Sequence, residues 1–274
     1  MKTTQSLEIA GKTDVGCVRA NNEDDFLVDP DLGLLVVADG MGGHSSGEVA
    51  SDLATKTIGD FARQMLGGEK TLVPEGGDPN LSVRARQLEY FVKTANTLIY
   101  EKGRAFPADA GMGTTVVAVL ADSRSLAVAH VGDSRLYLFR DGALTQLTED
   151  HSLVADQVRR GLITSEDAAR SELQNILTRA LGAEKDVQVD VAEHAVRPGD
   201  VILLATDGLT KMVRDADVAR TIAEDPTPQR VVERLIEQAR AAGGADNITV
   251  VAARVPAQSA KKSIQGVFSR LFGG

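Results

Sequence analysis

Three stretches of the chain are apolar without interruption: Leu34–Ala38, Val116–Leu120 and Val201–Ala205. Each is short and bounded by polar or turn-forming residues, the pattern of a strand buried on both faces. Further strands are predicted at Phe26–Val28, Leu126–Val131, Leu136–Phe139 and Ile248–Val251, with regular structure resuming at Val187–Val191. Asp141-Gly142 predicts a hairpin turn ahead of Leu144. Strands that follow one another without intervening helices point to antiparallel pairing rather than a doubly wound parallel sheet.

A period of 3.6 takes over elsewhere. Ser45-Ser46-Gly47-Glu48 reads as a capping box that opens a helix, and Val49, Leu53, Ala54, Ile58, Phe61, Ala62 and Met65 keep one face apolar as far as Leu66. After a loop rich in Gly and Pro (Gly67 to Pro79), Leu88, Phe91, Val92, Ala95 and Ile99 predict a helix from about Ser82 to Lys102. Two more are expected at Asp217–Ala223 and Gln229–Ala241, the latter stopped by Gly243-Gly244. From about 148 to 182 the pattern is irregular and mostly polar, which predicts a surface flap with a short helix through Val158.

Composition narrows the class. At 274 residues, 43% hydrophobic and 25% charged, the chain is long enough for a large core. With aromatics at 4% and no Trp, that core must come from Ala, Val, Leu and Ile. A net charge of −9 and a pI near 5.0 argue against a nonspecific nucleic-acid binder. Cys17 is the sole cysteine, which excludes an intrachain disulfide and a thiolate metal cluster. Val15-Gly16-Cys17 is not a lipoprotein cleavage site, because Asp14 intrudes and no apolar region precedes it. No apolar run approaches the roughly 18–20 residues of a membrane span, and a cytoplasmic monomer is expected.

The candidate chemistry lies at strand edges. Asp39, Asp133, Asp207 and Asp246 each border a strand pattern, and Asp39 and Asp207 precede Gly. A lone strand-end Asp is usually a turn residue, but four that converge in one folded unit form a site for hard cations. All-oxygen ligands select Mg²⁺, Mn²⁺ or Ca²⁺ over Zn²⁺ or Cu²⁺. A carboxylate bridging two cations roughly 3.5–4 Å apart suits phosphate-ester hydrolysis. Arg19, close to Glu23 and Asp24, offers a planar fork for a phosphate. Gly132-Asp133-Ser134 also allows a serine hydrolase with Ser134 as nucleophile, yet none of His44, His130, His151 and His194 follows an Asp at the D-x-x-H spacing. Composition and spacing reach a divalent-metal hydrolase and stop there.

Six motifs carry the reading further. R-x-x-N-E-D spans Arg19–Asp24, DGMGGHSSGE spans Asp39–Glu48 and GMGTT spans Gly111–Thr115. GDSR at Gly132–Arg135, TDG at Thr206–Gly208 and DNIT at Asp246–Thr249 follow. In this order the chain resembles the metal-dependent, type 2C serine/threonine protein phosphatases in their bacterial form, over nearly its whole length. The resemblance implies an α+β fold, a four-layer α-β-β-α sandwich of two antiparallel sheets flanked by helices, spanning residues 1–255. It implies two core Mn²⁺ or Mg²⁺ ions and a weaker third. Asp39 would bridge the core pair, the Gly40 carbonyl would join one ion, and Asp207 and Asp246 would complete the other. Asp133 would join Asp207 at the third site, Glu23 and Asp24 would hold metal-bound waters, and Arg19 would clamp the substrate phosphate. Phosphorylated proteins are the implied substrates and a Ser/Thr protein kinase the implied counterpart.

Two features depart from the family pattern. Met41 stands where some members place a general-acid histidine, which leaves His44 to serve catalysis or only to position substrate. The flap has Ser171-Glu172-Leu173-Gln174-Asn175 where a His-Pro often precedes the Arg-Asn pair. Beyond the resemblance, 256–274 reads as a linker and a short basic tail helix with Ile264, Val267, Phe268, Leu271 and Phe272 in one stripe. That tail either packs on its own domain or binds a partner groove or an anionic membrane surface. The competing classes are a catalytically weak phosphopeptide-binding module on the same fold and a calcium-binding structural domain. A dead relative should have lost a core ligand, and a calcium module has no need of Arg19.

Overall fold

The computed structural model describes residues 7–43, 46–66 and 78–256. Its first elements are strands β1 (Glu8–Asp14), β2 (Asp24–Asp29) and β3 (Leu34–Met41), then helices α1 (Ser46–Leu66) and α2 (Val83–Ala105). Strands β4 (Gly113–Thr114), β5 (Val116–Ala121), β6 (Ser125–Val131), β7 (Arg135–Arg140) and β8 (Ala143–Gln146) run on with no helix longer than one turn between them. The flap holds α3 (Leu153–Arg159) and α4 (Ser165–Ala168). Then come β9 (Asp190–Ala195), β10 (Val201–Ala205), α5 (Asp207–Thr210), α6 (Asp215–Glu224), α7 (Pro228–Ala241) and β11 (Ile248–Arg254).

Every paired strand is antiparallel. One sheet has the order β1-β11-β10-β7-β8 and the other β2-β3-β5-β6-β9, with β4 on the end of β3. Three apolar clusters give the layer order. Leu34, Val36 and Ala38 of β3 and Val116, Ala118 and Leu120 of β5 pack under α1 and α2. Their neighbours Leu35, Val37, Val117 and Val119 face Ile202, Leu204, Val251 and Ala253 across the space between the sheets. Val201, Leu203, Val250 and Ala252 meet α6 and α7 on the far side. Successive strand residues point to opposite faces, so a strand covered on both has to be apolar throughout. That is why these runs lack alternation, and the four-layer α-β-β-α sandwich follows from them.

Helix ends obey local chemistry. Ser82 caps α2 by accepting from Ala85 N, and Thr227 caps α7, with Pro228 at its first position. Asp141 (φ 52°) and Gly142 (φ 82°) form the β7–β8 hairpin turn. The capping serine expected at Ser45 lies outside the described residues, as does the tail helix.

Three expectations need correcting. Strand β3 does not end on Asp39, because Gly40 and Met41 pair with Thr114 and Gly113 of β4 and carry it two residues further. Strand β9 begins at Asp190 rather than Val187, where its pairing to His130 starts. Strand β1 was not expected: only Ala10 is buried in it, and its pairing with β11 supplies what its own sequence does not.

Candidate metal centre

At one end of the sandwich the two sheets splay around a cleft of about 210 Å³, lined by Arg19, Glu23, Asp39, Asp133, Asp207 and Asp246 among others. The register places Asp24 opposite Asp39 across β2 and β3. Asp39 is fixed by its backbone: its N–H donates to Thr115 Oγ1 (3.0 Å), and its carbonyl accepts from Thr115 N (2.9 Å) and Thr114 Oγ1 (2.9 Å). Asp24 Oδ2 accepts from Thr206 Oγ1 (2.8 Å), just past the end of β10, and from Thr249 Oγ1 (2.7 Å) of β11, both strands of the other sheet. Asp207 starts α5 directly after β10, and Asp246 sits just ahead of β11.

Asn247 ties the second of these ends to the cleft. Its side chain accepts from Glu23 N (2.8 Å) and donates to the carbonyls of Val15 (3.0 Å) and Asn21 (2.9 Å), so the Arg19–Asp24 loop is held against β11. Close backbone packing completes the cradle. A Cβ on Gly40 would lie 2.2 Å from the Gly47 carbonyl oxygen and 2.5 Å from that of Glu23.

Charge is crowded here. Burial pushes the Asp24 carboxyl up to about 7, against the pull of its two threonine bonds, with Asp207 and Asp246 adding to the rise. Burial first, then Asp207, takes Asp133 to about 7, and Lys211 opposes the shift. Asp39 stands well above the carboxylate range through burial and the surrounding Asp24, Asp207, Asp133 and Asp246. Glu23 is raised by burial, an effect that Arg19 partly offsets. Arg19 Nη2 donates to Asp246 Oδ2 (2.8 Å), with its side chain 54% exposed at the mouth.

Two buried carboxylate oxygens, Asp24 Oδ1 and Asp207 Oδ1, have no hydrogen-bond partner among the described residues. Orphaned oxygens beside mutually repelling carboxylates are the donor set a hard divalent cation requires, and the residues fit such an ion.

The structure also assembles groups the motifs did not point to. Asp133 follows Gly132 (φ 106°), and that glycine is gripped twice by His151: Gly132 N donates to Nδ1 (3.1 Å), and His151 N donates to the Gly132 carbonyl (3.0 Å). With Nδ1 accepting, the ring proton sits on Nε2, which donates to Asp190 Oδ2 (3.2 Å). Arg179 holds the other Asp190 oxygen at 2.6 Å, and His130 stacks on the ring at 4.7 Å. Burial, then His130 and Arg179, lower the His151 imidazole to about 4, so it stays neutral. His130, His151 and Asp190 lie close enough to suggest a second metal site. Both ring nitrogens of His151 are already engaged, however, and the trio is a clamp on Asp133. Nothing in the spacing of residues 130, 151 and 190 marks it.

Ser134 Oγ shares a hydrogen bond with Thr115 Oγ1 (2.8 Å), and the His151 ring is engaged elsewhere. The serine-hydrolase alternative therefore lacks its base among the described residues. His44 lies outside them. Met41, Asn175 and Leu177 also line the cleft, the last two from the flap.

The comparisons with known proteins agree with this geometry. A family model described as "Protein phosphatase 2C" matches residues 18–247. The chain is 36% identical to the "Serine/threonine phosphatase stp" of Listeria innocua over 88% of its own length and 92% of that protein. It is 37% identical to the "Serine/threonine protein phosphatase PstP" of Mycobacterium tuberculosis, covering 93% of this chain but 46% of that protein. The crystal structure of the PstP catalytic domain with two manganese ions superposes with a TM-score of 0.77 at 37% identity, over 91% of this chain and 98% of that one.

Proposed function

The chain belongs to the protein phosphatase 2C family and is a metal-dependent serine/threonine phosphatase, and we propose that residues 1–255 hydrolyse phosphoserine and phosphothreonine monoesters in proteins, with about 148–182 as a flap over the cleft. The observation that carries this reading is the convergence of Asp39, Asp133, Asp207 and Asp246 with Arg19 on one cleft, where two buried carboxylate oxygens have no partner among the described residues.

Asp39 would bridge two core ions, with the Gly40 carbonyl on one and Asp207 and Asp246 on the other. Glu23 and Asp24 would orient water, and Asp133 stands at the Asp207 end of the set. Bound Mn²⁺ or Mg²⁺ would supply Lewis acidity toward phosphoryl oxygens and lower the pKa of the attacking water. Arg19 donates from the rim of the cleft, where its fork can turn from Asp246 to a phosphate. Water attacks phosphorus in line and gives up a proton, the ester P–O bond breaks, and the leaving Ser or Thr oxygen takes up one proton from water, so that an alcohol and inorganic phosphate result. A covalent route through a side-chain alcohol, thiol or imidazole has little support. The described lining holds no serine, cysteine or histidine, and its threonine, Thr115, is bonded to Ser134 and to Asp39 N.

No helix of the described residues is long and apolar enough to cross a membrane. We place the enzyme in the cytoplasm as a monomer, reversing a Ser/Thr kinase. The phosphopeptide-binding alternative is disfavoured because the carboxylate set is complete.

Metal-stripped protein should release no phosphate from a phosphothreonine peptide, and added Mn²⁺ or Mg²⁺ should restore turnover. Full turnover after stripping would overturn the reading. Arg19→Ala should lower kcat/KM by about 10–100-fold, the worth of one charge-assisted contact. A wild-type kcat/KM in that variant would remove Arg19 from substrate binding.

A further inference from the structure

Lys211 has no place in the six motifs, yet its ammonium group bonds two residues that line the cleft, Asp207 and Asn175. It closes the one-turn helix α5, four residues after Asp207, so the two side chains share a face. Lys211 Nζ donates to Asp207 Oδ2 (2.5 Å) and to Asn175 Oδ1 of the flap (2.6 Å). The other oxygen, Asp207 Oδ1, is buried and without a partner among the described residues. The two oxygens of Asp207 thus have different surroundings, one left for a metal ion and one taken by an amine.

A count of charges gives the arrangement a purpose. The carboxylates of the site are Glu23, Asp24, Asp39, Asp133, Asp207 and Asp246. Arg19 bonds Asp246 at one end and Lys211 bonds Asp207 at the other. With all six ionised, as ligation of a cation requires, and both protein cations counted, four negative charges remain, which two divalent ions neutralise. A third ion would leave an excess of positive charge, and at the Asp133–Asp207 position it would meet an ammonium group already on Asp207 Oδ2.

We propose that Lys211 is a built-in cation that stands in for a third divalent ion at the Asp133–Asp207 end, so that the centre takes two ions and the flap is fastened to it through Asn175. The inference rests on reading the cleft as a metal centre. Any third ion must displace the ammonium from Asp207, and Asn175 would lose its partner at the same moment. Occupancy of that position and the attachment of the flap are then two readings of one event.

The test is isothermal titration of the metal-stripped full chain with Mn²⁺, alongside Lys211→Met, Lys211→Arg and the Lys211→Met/Asp133→Asn pair. Wild type and Lys211→Arg should bind two ions. Lys211→Met should gain a third, at least about tenfold tighter than any third ion of wild type, and the added Asp133→Asn change should remove it. Hydrogen exchange across 148–182 in the metal-free protein should be faster in Lys211→Met than in wild type. Equal ion counts and affinities in wild type and Lys211→Met would overturn the inference and leave the phosphatase reading standing. A wild-type chain that binds no Mn²⁺ would overturn both.

Discussion

Asp39→Asn should reduce turnover of a phosphothreonine peptide by roughly 10³-fold or more, and should at the same time stabilise the metal-free chain at alkaline pH. The first effect follows from its position as the carboxylate at the centre of the set. Lewis-acid stabilisation of a transition state is worth several kcal/mol, and each 1.36 kcal/mol is about tenfold in rate. The second follows from repulsion. The Asp39 carboxyl is raised well above its ordinary range by burial and by Asp24, Asp207, Asp133 and Asp246. A folded-state pKa above the unfolded one means a contribution to stability that is present below the unfolded value and lost as pH rises through the folded one. Asp24 and Asp133, both at about 7, act in the same direction.

Toward acid pH, where the raised Asp39 carboxyl carries its proton, Asn is its neutral isostere and should change little. As pH rises through the Asp39 pKa, a buried charge develops in the wild type that the variant lacks. The melting temperature of the chelated variant should therefore exceed that of the wild type, by about 2–4 °C for each kcal/mol relieved. Thermal melts of both proteins in chelator at acid and at alkaline pH, with peptide kinetics at saturating Mn²⁺, check the pair of claims. Unchanged kcat would show the centre to be elsewhere, and a variant less stable at alkaline pH would refute the repulsion.

The second large effect is expected at Gly208. Helix propensity alone says that Ala in α5 should gain up to about 1 kcal/mol. Packing says the opposite. A Cβ there would stand 1.9 Å from the Asn247 carbonyl oxygen and 2.8 Å from its carbon. Those are backbone atoms, and the side chain of the same Asn247 is anchored to Val15, Asn21 and Glu23. Relief would have to move the start of β11, and with it Asp246 and the Arg19–Asp24 loop. Overpacking against so fixed a neighbour costs about 3 kcal/mol, which exceeds the propensity gain. Gly208→Ala should melt roughly 6–12 °C lower and bind Mn²⁺ more weakly. An equal or higher melting temperature would show that the two segments can part without loss.

Much of this protein is determined by its sequence alone, because the causes are local. Leu34–Ala38 and Val201–Ala205 have no polar position because each strand is covered on both faces, and that shows in the order of residues. Helices α1, α2 and α7 announce themselves through a period of 3.6, and the Asp141-Gly142 turn through its need for positive φ. Asp39, Asp133, Asp207 and Asp246 could be named as a set because each borders a strand and falls in a recognisable motif.

What only the tertiary structure decided rests on pairs far apart in the chain. Strand β1 has one buried side chain of its own and exists because β11 lies beside it. The grip of His151 on Gly132, the bonds from Thr206 and Thr249 to Asp24, and the three-way tie at Asn247 join segments up to 232 residues apart. Lys211 lies beside Asp207 by helical spacing, yet its reach to Asn175 depends on where the flap folds. A hydrogen bond across such a separation imposes no period and no composition on the residues between, so it leaves no trace in a single chain until that chain is folded.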